Sequence, residues 1–174
     1  MKIKRMTFPI ASLLFTERKN YNYSDSFGCT FVDPKNKINI ETIVNDFSKP
    51  LPVWIDALMS VRDKIVSVIG LKTSEEERNT VQRGPYKLVE GEKIGFFNLY
   101  NRTNNEVILG EDDKHLDFRV SLLLENPDQD SGVKKIIITT VVTYNNWMGR
   151  IYFFFIKPFH RLVVRDMMKK NYNY

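Results

Sequence analysis

The chain of 174 residues has little cysteine, no long apolar run and no excess of acid. Its single cysteine, Cys29, can form no disulfide within the chain and has no companions at metal-ligand spacing. A small, half-buried apolar role is the natural reading for it. No stretch reaches the ~20 apolar residues that a transmembrane helix needs. Ile10–Phe15, after the basic residues Lys2, Lys4 and Arg5, is too short for a signal-peptide core, and no clean cleavage site follows it. These absences point to a cytoplasmic protein with no integral membrane segment. GxSxG, P-loop, dinucleotide-glycine and HExxH patterns are missing too, which removes the common hydrolases, kinases and dehydrogenases. The net charge is +5, but the basic residues are scattered and form no stripe with interleaved aromatics. A soluble basic surface is therefore favoured over nucleic-acid binding.

What the chain does have is aromatic bulk, 13% of its residues, mostly Phe and Tyr, within a composition that is 43% hydrophobic and 27% charged. Such residues fill cores and line cavities for apolar ligands. The length suits one domain, residues 1–174. Residues 1–20 read as a lead-in. Tyr23–Val32 reads as a strand, closed by Asp33-Pro34. Asn39 can cap a short helix, Ile40–Phe47. Pro52 opens a longer one, Val53–Ile69, whose apolar face carries Trp54, Leu58, Val61, Ile65, Val68 and Ile69. Residues 72–92 read as a long connection. Strands are expected at Ile94–Tyr100, Glu106–Leu109, Lys114–Glu125 and Val133–Asn145, with the first pair a hairpin. Asn146–Gly149 reads as a turn into a short aromatic strand, Ile151–Lys157, and Pro158 then opens a terminal amphipathic helix. Helical spacing puts Phe159, Val163, Val164, Met167 and Met168 on its apolar half and Arg161, Arg165 and Lys169 on the other.

This order gives an α+β plan: two helices after the first strand, then an antiparallel meander curved around a terminal helix. It resembles the helix-grip fold of the START-like (SRPBCC) superfamily. YSDSF at Tyr23–Phe27, WIDALMSVRDKIV at Trp54–Val66, GEDDKHLDFRVS at Gly110–Ser121 and GRIYFFFIKPFHRLVVR at Gly149–Arg165 resemble an uncharacterised bacterial family within it, a domain of unknown function. The resemblance implies an apolar cavity between sheet and terminal helix, used elsewhere for lipids, hormones or polyketide intermediates. It implies no particular chemistry.

Three polar features compete for function. Arg62 falls inside the apolar arc of its helix, either in a buried ion pair or as a clamp for an anionic head group. In the strand around His115, period two sets Asp113, His115, Asp117, Arg119 and Ser121 opposite Leu116, Phe118, Val120 and Leu122. That polar face is either solvated or the lining of a pocket, where His115 and Asp117 could do acid–base work. Glu111, Asp112 and Asp113 point alternately and make a weak metal site, so no metal and no cofactor is expected. His160 faces inward, as a hydrogen-bonded core residue or as the polar end of a cavity. The expected function is binding of a small hydrophobic or amphipathic ligand, lipid or polyketide-like. Its site would draw on Arg62, His160, Asp117, Arg119, Trp54 and Tyr152. The alternatives are a cyclase- or dehydratase-like enzyme using His115, Asp117 or His160, and a filled-core interaction protein, for instance a homodimer.

Overall fold

The computed structural model describes residues 2–48, 86, 88–95, 97–128 and 132–172. Within them the fold is α+β, a seven-stranded, wholly antiparallel sheet with two α-helices. The strands are β1 (Lys4–Met6), β2 (Tyr23–Val32), β3 (Lys93–Ile94), β4 (Phe97–Arg102), β5 (Glu106–Asp112), β6 (Leu116–Asp128) and β7 (Val133–Tyr144). The helices are α1 (Ile40–Phe47) and α2 (Trp147–Tyr172), and a 3-10 turn spans Leu13–Phe15. The spatial order is β1-β2-β7-β6-β5-β4-β3. β3 to β7 form a meander, and β2 closes on its last strand. This plan is consistent with a helix grip.

Alternation sets the two faces of the sheet. Phe27, Cys29 and Phe31 of β2 share one face with Ile136 and Ile138 of β7 and Val120, Leu122 and Leu124 of β6. Ile40, Ile43 and Val44 of α1 and Val164 and Met168 of α2 pack on it. Ile43, Val44 and Met168 are wholly buried, each stabilising by about 1.5–3 kcal/mol relative to exposure. The start of α1 is fixed by Asn39, whose side-chain oxygen accepts from Thr42 N at 2.9 Å. The opposite face carries a smaller cluster, Leu14, Ile108 and Val141, with Phe8, Tyr21 and Tyr100 at its margin.

Two expectations are overturned. Ile151–Lys157 is not a strand, and Pro158 does not open a helix, because α2 runs unbroken from Trp147 to Tyr172 with Pro158 inside it. A short apolar run satisfies either periodicity, and the helix start decides between them. Asn146 Oδ1 accepts from Gly149 N at 3.1 Å, a side-chain cap that turns the expected turn into the first helical residues. Pro158 lies on the exposed side, so its missing N–H disturbs the solvent-facing wall of the helix. Gly149 is needed here, since a Cβ would stand 2.0 Å from the His115 carbonyl oxygen. Second, the first helix follows the second strand, because Lys4–Met6 of the lead-in pairs with Ser26–Gly28. The further helix expected over 53–69, with Trp54 and Arg62, and the connection over 72–85 lie outside the described residues.

Candidate functional site

The apolar row of β2 is interrupted once. Asp25 lies between Tyr23 and Phe27 on the face that receives α2, and its side chain is 1% exposed. Directly opposite on β7 stands Thr140. Above them α2 supplies His160 and Arg161. His160 Nε2 is 3.6 Å from Asp25 Oδ1, and Arg161 Nε is 3.5 Å from Asp25 Oδ2. The Tyr23 hydroxyl donates to Asp25 Oδ2 and accepts from Arg161 Nε at 3.2 Å. Lys157 rests over the Tyr23 ring, 4.7 Å from its centroid. Arg161 thus turns toward the sheet, contrary to its expected place on the outer half, while Phe159 is turned outward, 37% exposed.

Asp25 Oδ1, Thr140 Oγ1 and His160 Nε2 are buried, and among the described residues none of the three makes a hydrogen bond of ordinary length, Asp25 Oδ1 and His160 Nε2 facing each other only at ion-pair distance. Buried polar atoms are nearly always hydrogen-bonded, so unsatisfied capacity at three neighbouring side chains sets this cluster apart from the apolar core around it. Burial alone would raise the Asp25 pKa, but the facing His160, the Tyr23 hydroxyl and the Arg161 guanidinium outweigh it and hold the carboxyl below its ordinary range. Burial, and next the adjacent Asp25, push the Tyr23 phenol up to about 12. The cluster therefore holds an ionised acid, a neutral phenol and an arginine around an imidazole edge and a hydroxyl. These groups can orient a hydroxyl or carbonyl. Asp25 and His160 are also close enough for one polar atom set beside the pair to reach both and exchange a proton with either.

The other expected residues lie elsewhere. Asp117 and Arg119 project from the opposite face of β6. Arg119 pairs with Asp112 at 2.6 Å and stacks 3.6 Å from the Tyr100 ring centroid. Asp117 accepts from Asn145 Nδ2 at 2.9 Å and from Asp113 N at 3.2 Å. His115 is buried beside the first turn of α2, with its Nδ1 3.0 Å from Asn146 Oδ1. Asn146 Nδ2 donates to the Lys114 carbonyl, so Oδ1 is the acceptor and the proton sits on His115 Nδ1. Tyr152 packs at the edge of the Leu116, Val142 and Phe153 cluster. Among the described residues no group of three His, Cys, Asp or Glu side chains is placed to hold a metal ion.

The opposite face also buries a carboxylate. Glu106, 2% exposed, accepts from Ser12 Oγ at 2.6 Å, Leu13 N at 2.8 Å and Ser121 Oγ. It forms part of the wall of a surface pocket of about 420 Å³ with Ala11, Leu13, Asn105 and Leu123. That pocket lies on the face away from α2.

Sequence reading missed Asp25, Thr140, Tyr23 and Arg161. Only Asp25 left a signal, as the acid in the alternating row Tyr23, Asp25, Phe27, Cys29, Phe31. No curated protein and no solved structure matches the chain. The model of one family, described as a protein of unknown function (DUF2867), matches residues 18–167, from before β2 to beyond His160 and Arg161. The chain that carries this buried Asp25–Thr140–His160 cluster thus belongs to the DUF2867 family.

Proposed function

We propose that the chain is a helix-grip protein of START-like type that binds a small hydrophobic or amphipathic ligand between sheet and α2. The ligand's polar end lies on Asp25, Thr140 and His160. One observation carries this reading: three buried polar atoms that make no ordinary hydrogen bond among the described residues stand together in an apolar interior. The charges narrow the ligand. Asp25 is ionised and already neutralised by Arg161, so a second carboxylate or a phosphate would be repelled. A hydroxyl fits better, since it donates to Asp25 Oδ1 and accepts from Thr140 or His160. The apolar remainder would follow the Phe27 and Met168 side of the core. Native mass spectrometry of protein purified from its host tests this. The expected result is a co-purifying neutral, hydroxyl-bearing lipid or polyketide, lost in Asp25→Asn and His160→Ala. A bare chain mass, with no thermal shift from any hydroxylated lipid, would overturn it.

A second reading rests on the 3.6 Å gap between Asp25 Oδ1 and His160 Nε2. A substrate atom beside the pair, within hydrogen-bond reach of both titratable groups, is what a cyclase- or dehydratase-like acid–base step would use. If the co-purifying compound is converted by the wild-type chain and left intact by His160→Ala, the enzyme reading holds. If it is bound unchanged by both, the protein is a carrier.

A further inference from the structure

The face of α2 turned away from the sheet is apolar at the surface. Trp147 is 70% exposed, Ile151 46%, Phe154 72%, Phe155 52% and Leu162 54%. At ~100° per residue these five and Pro158 fall within an arc about 100° wide, the width of an apolar stripe that seeks a partner. With Phe159 they expose roughly 650 Å², taking ~200 Å² as a full side chain. The largest patch on a typical monomer is about 300–600 Å². Phe154 and Phe155 meet edge to face at 5.5 Å, which makes a firm aromatic knuckle at the middle of the ridge. Beyond Leu162 the same line of the helix turns basic, with Arg165 and Lys169, and Arg150 flanks its start. Asp166 is the one acid among the residues of α2.

We propose that this ridge docks the protein on an anionic lipid surface, with α2 lying in the plane of the interface. The charge pattern selects this occupant. Aromatic and aliphatic side chains on one face with cations at their margin are what an interfacial helix needs, and negative head groups neutralise the flanking Arg and Lys. A second copy fits worse, because antiparallel ridges would bring Arg165 and Lys169 of one chain against Arg150 of the other, in a molecule already at +5. Among the described residues no helix is long and apolar enough to cross a membrane, so contact is peripheral. The proposal is independent of the Asp25 cluster, which lies beneath the other side of α2.

The full chain is sedimented with vesicles of phosphatidylcholine alone and of phosphatidylcholine with phosphatidylglycerol. The expected result is binding to the anionic vesicles at least tenfold tighter than to the neutral ones and weakened by salt. Phe154→Ser with Phe155→Ser, and separately Arg165→Glu with Lys169→Glu, should each reduce it tenfold or more at unchanged melting temperature. Trp147 emission in a Trp54→Phe background gives a readout that does not depend on those variants folding, and it should shift to the blue on anionic vesicles. No binding, equal binding to neutral vesicles, or an unmoved Trp147 spectrum overturns the proposal. So does a dimer in size-exclusion chromatography that the Phe154 and Phe155 substitutions dissociate, since the occupant would then be a second copy.

Discussion

Asp25 shows what a single residue can be made to carry. Its carboxyl is held below the ordinary value by His160, Tyr23 and Arg161 against the cost of burial. A depressed carboxyl stabilises the fold at every pH above its unfolded value, near 4, and that stability is lost as pH falls through the folded value. Acid titration of unfolding should show this loss, and Asp25→Asn should flatten it. Cys29 gives a second outcome. Burial pushes its thiol up to about 11, so the native chain should resist a thiol reagent at neutral pH and react promptly once unfolded. Asp25 left a trace in the sequence, an acid in an apolar row of one strand, that the reading of the sequence did not use. Its meaning was not legible there, because Arg161 lies 138 residues from Tyr23, and no local pattern links them.

At the scale of elements, most strands follow from alternation and turn residues, and α1 from its Asn39 cap and Ile43-Val44 face. The start of α2 does not, because its cap is secured from another part of the fold. Asn146 is gripped by His115 Nδ1 and by the Lys114 carbonyl, both from the turn before β6. Asn146→Ala should cost about 1–2 kcal/mol in chemical denaturation. Pro158 sits inside the continuous α2 and offers no N–H to the helical hydrogen-bond ladder. Pro158→Ala should raise stability by about 1–3 kcal/mol and the melting temperature with it, since a proline in a helix interior costs about 3 kcal/mol relative to alanine. β1 escaped notice because Lys4–Met6 is three residues long and mostly charged. Its strand character comes only from pairing with β2.

At the scale of the whole molecule, a buried ion pair ties a distant segment to the sheet. Lys134 Nζ on β7 meets Asp33 Oδ2 at 2.8 Å, and also donates to the Ile38 carbonyl, holding the β2–α1 connection down. Lys134→Met removes one partner of a pair whose side chains are 6% and 7% exposed. It should destabilise by about 3–5 kcal/mol, while the paired change with Asp33→Leu should recover much of the loss. The architecture class could be read from the order of elements, but the closure of β2 on β7 could not. That closure has a consequence in time. Ser26 and its neighbour Thr139 are 113 residues apart, so a chain emerging from the ribosome must carry one flank of its finished sheet unzipped until nearly all the rest has been made. Long-range pairing of this kind sets a slow folding step. The newborn protein is then most vulnerable to sticking to its neighbours just before its last helix appears.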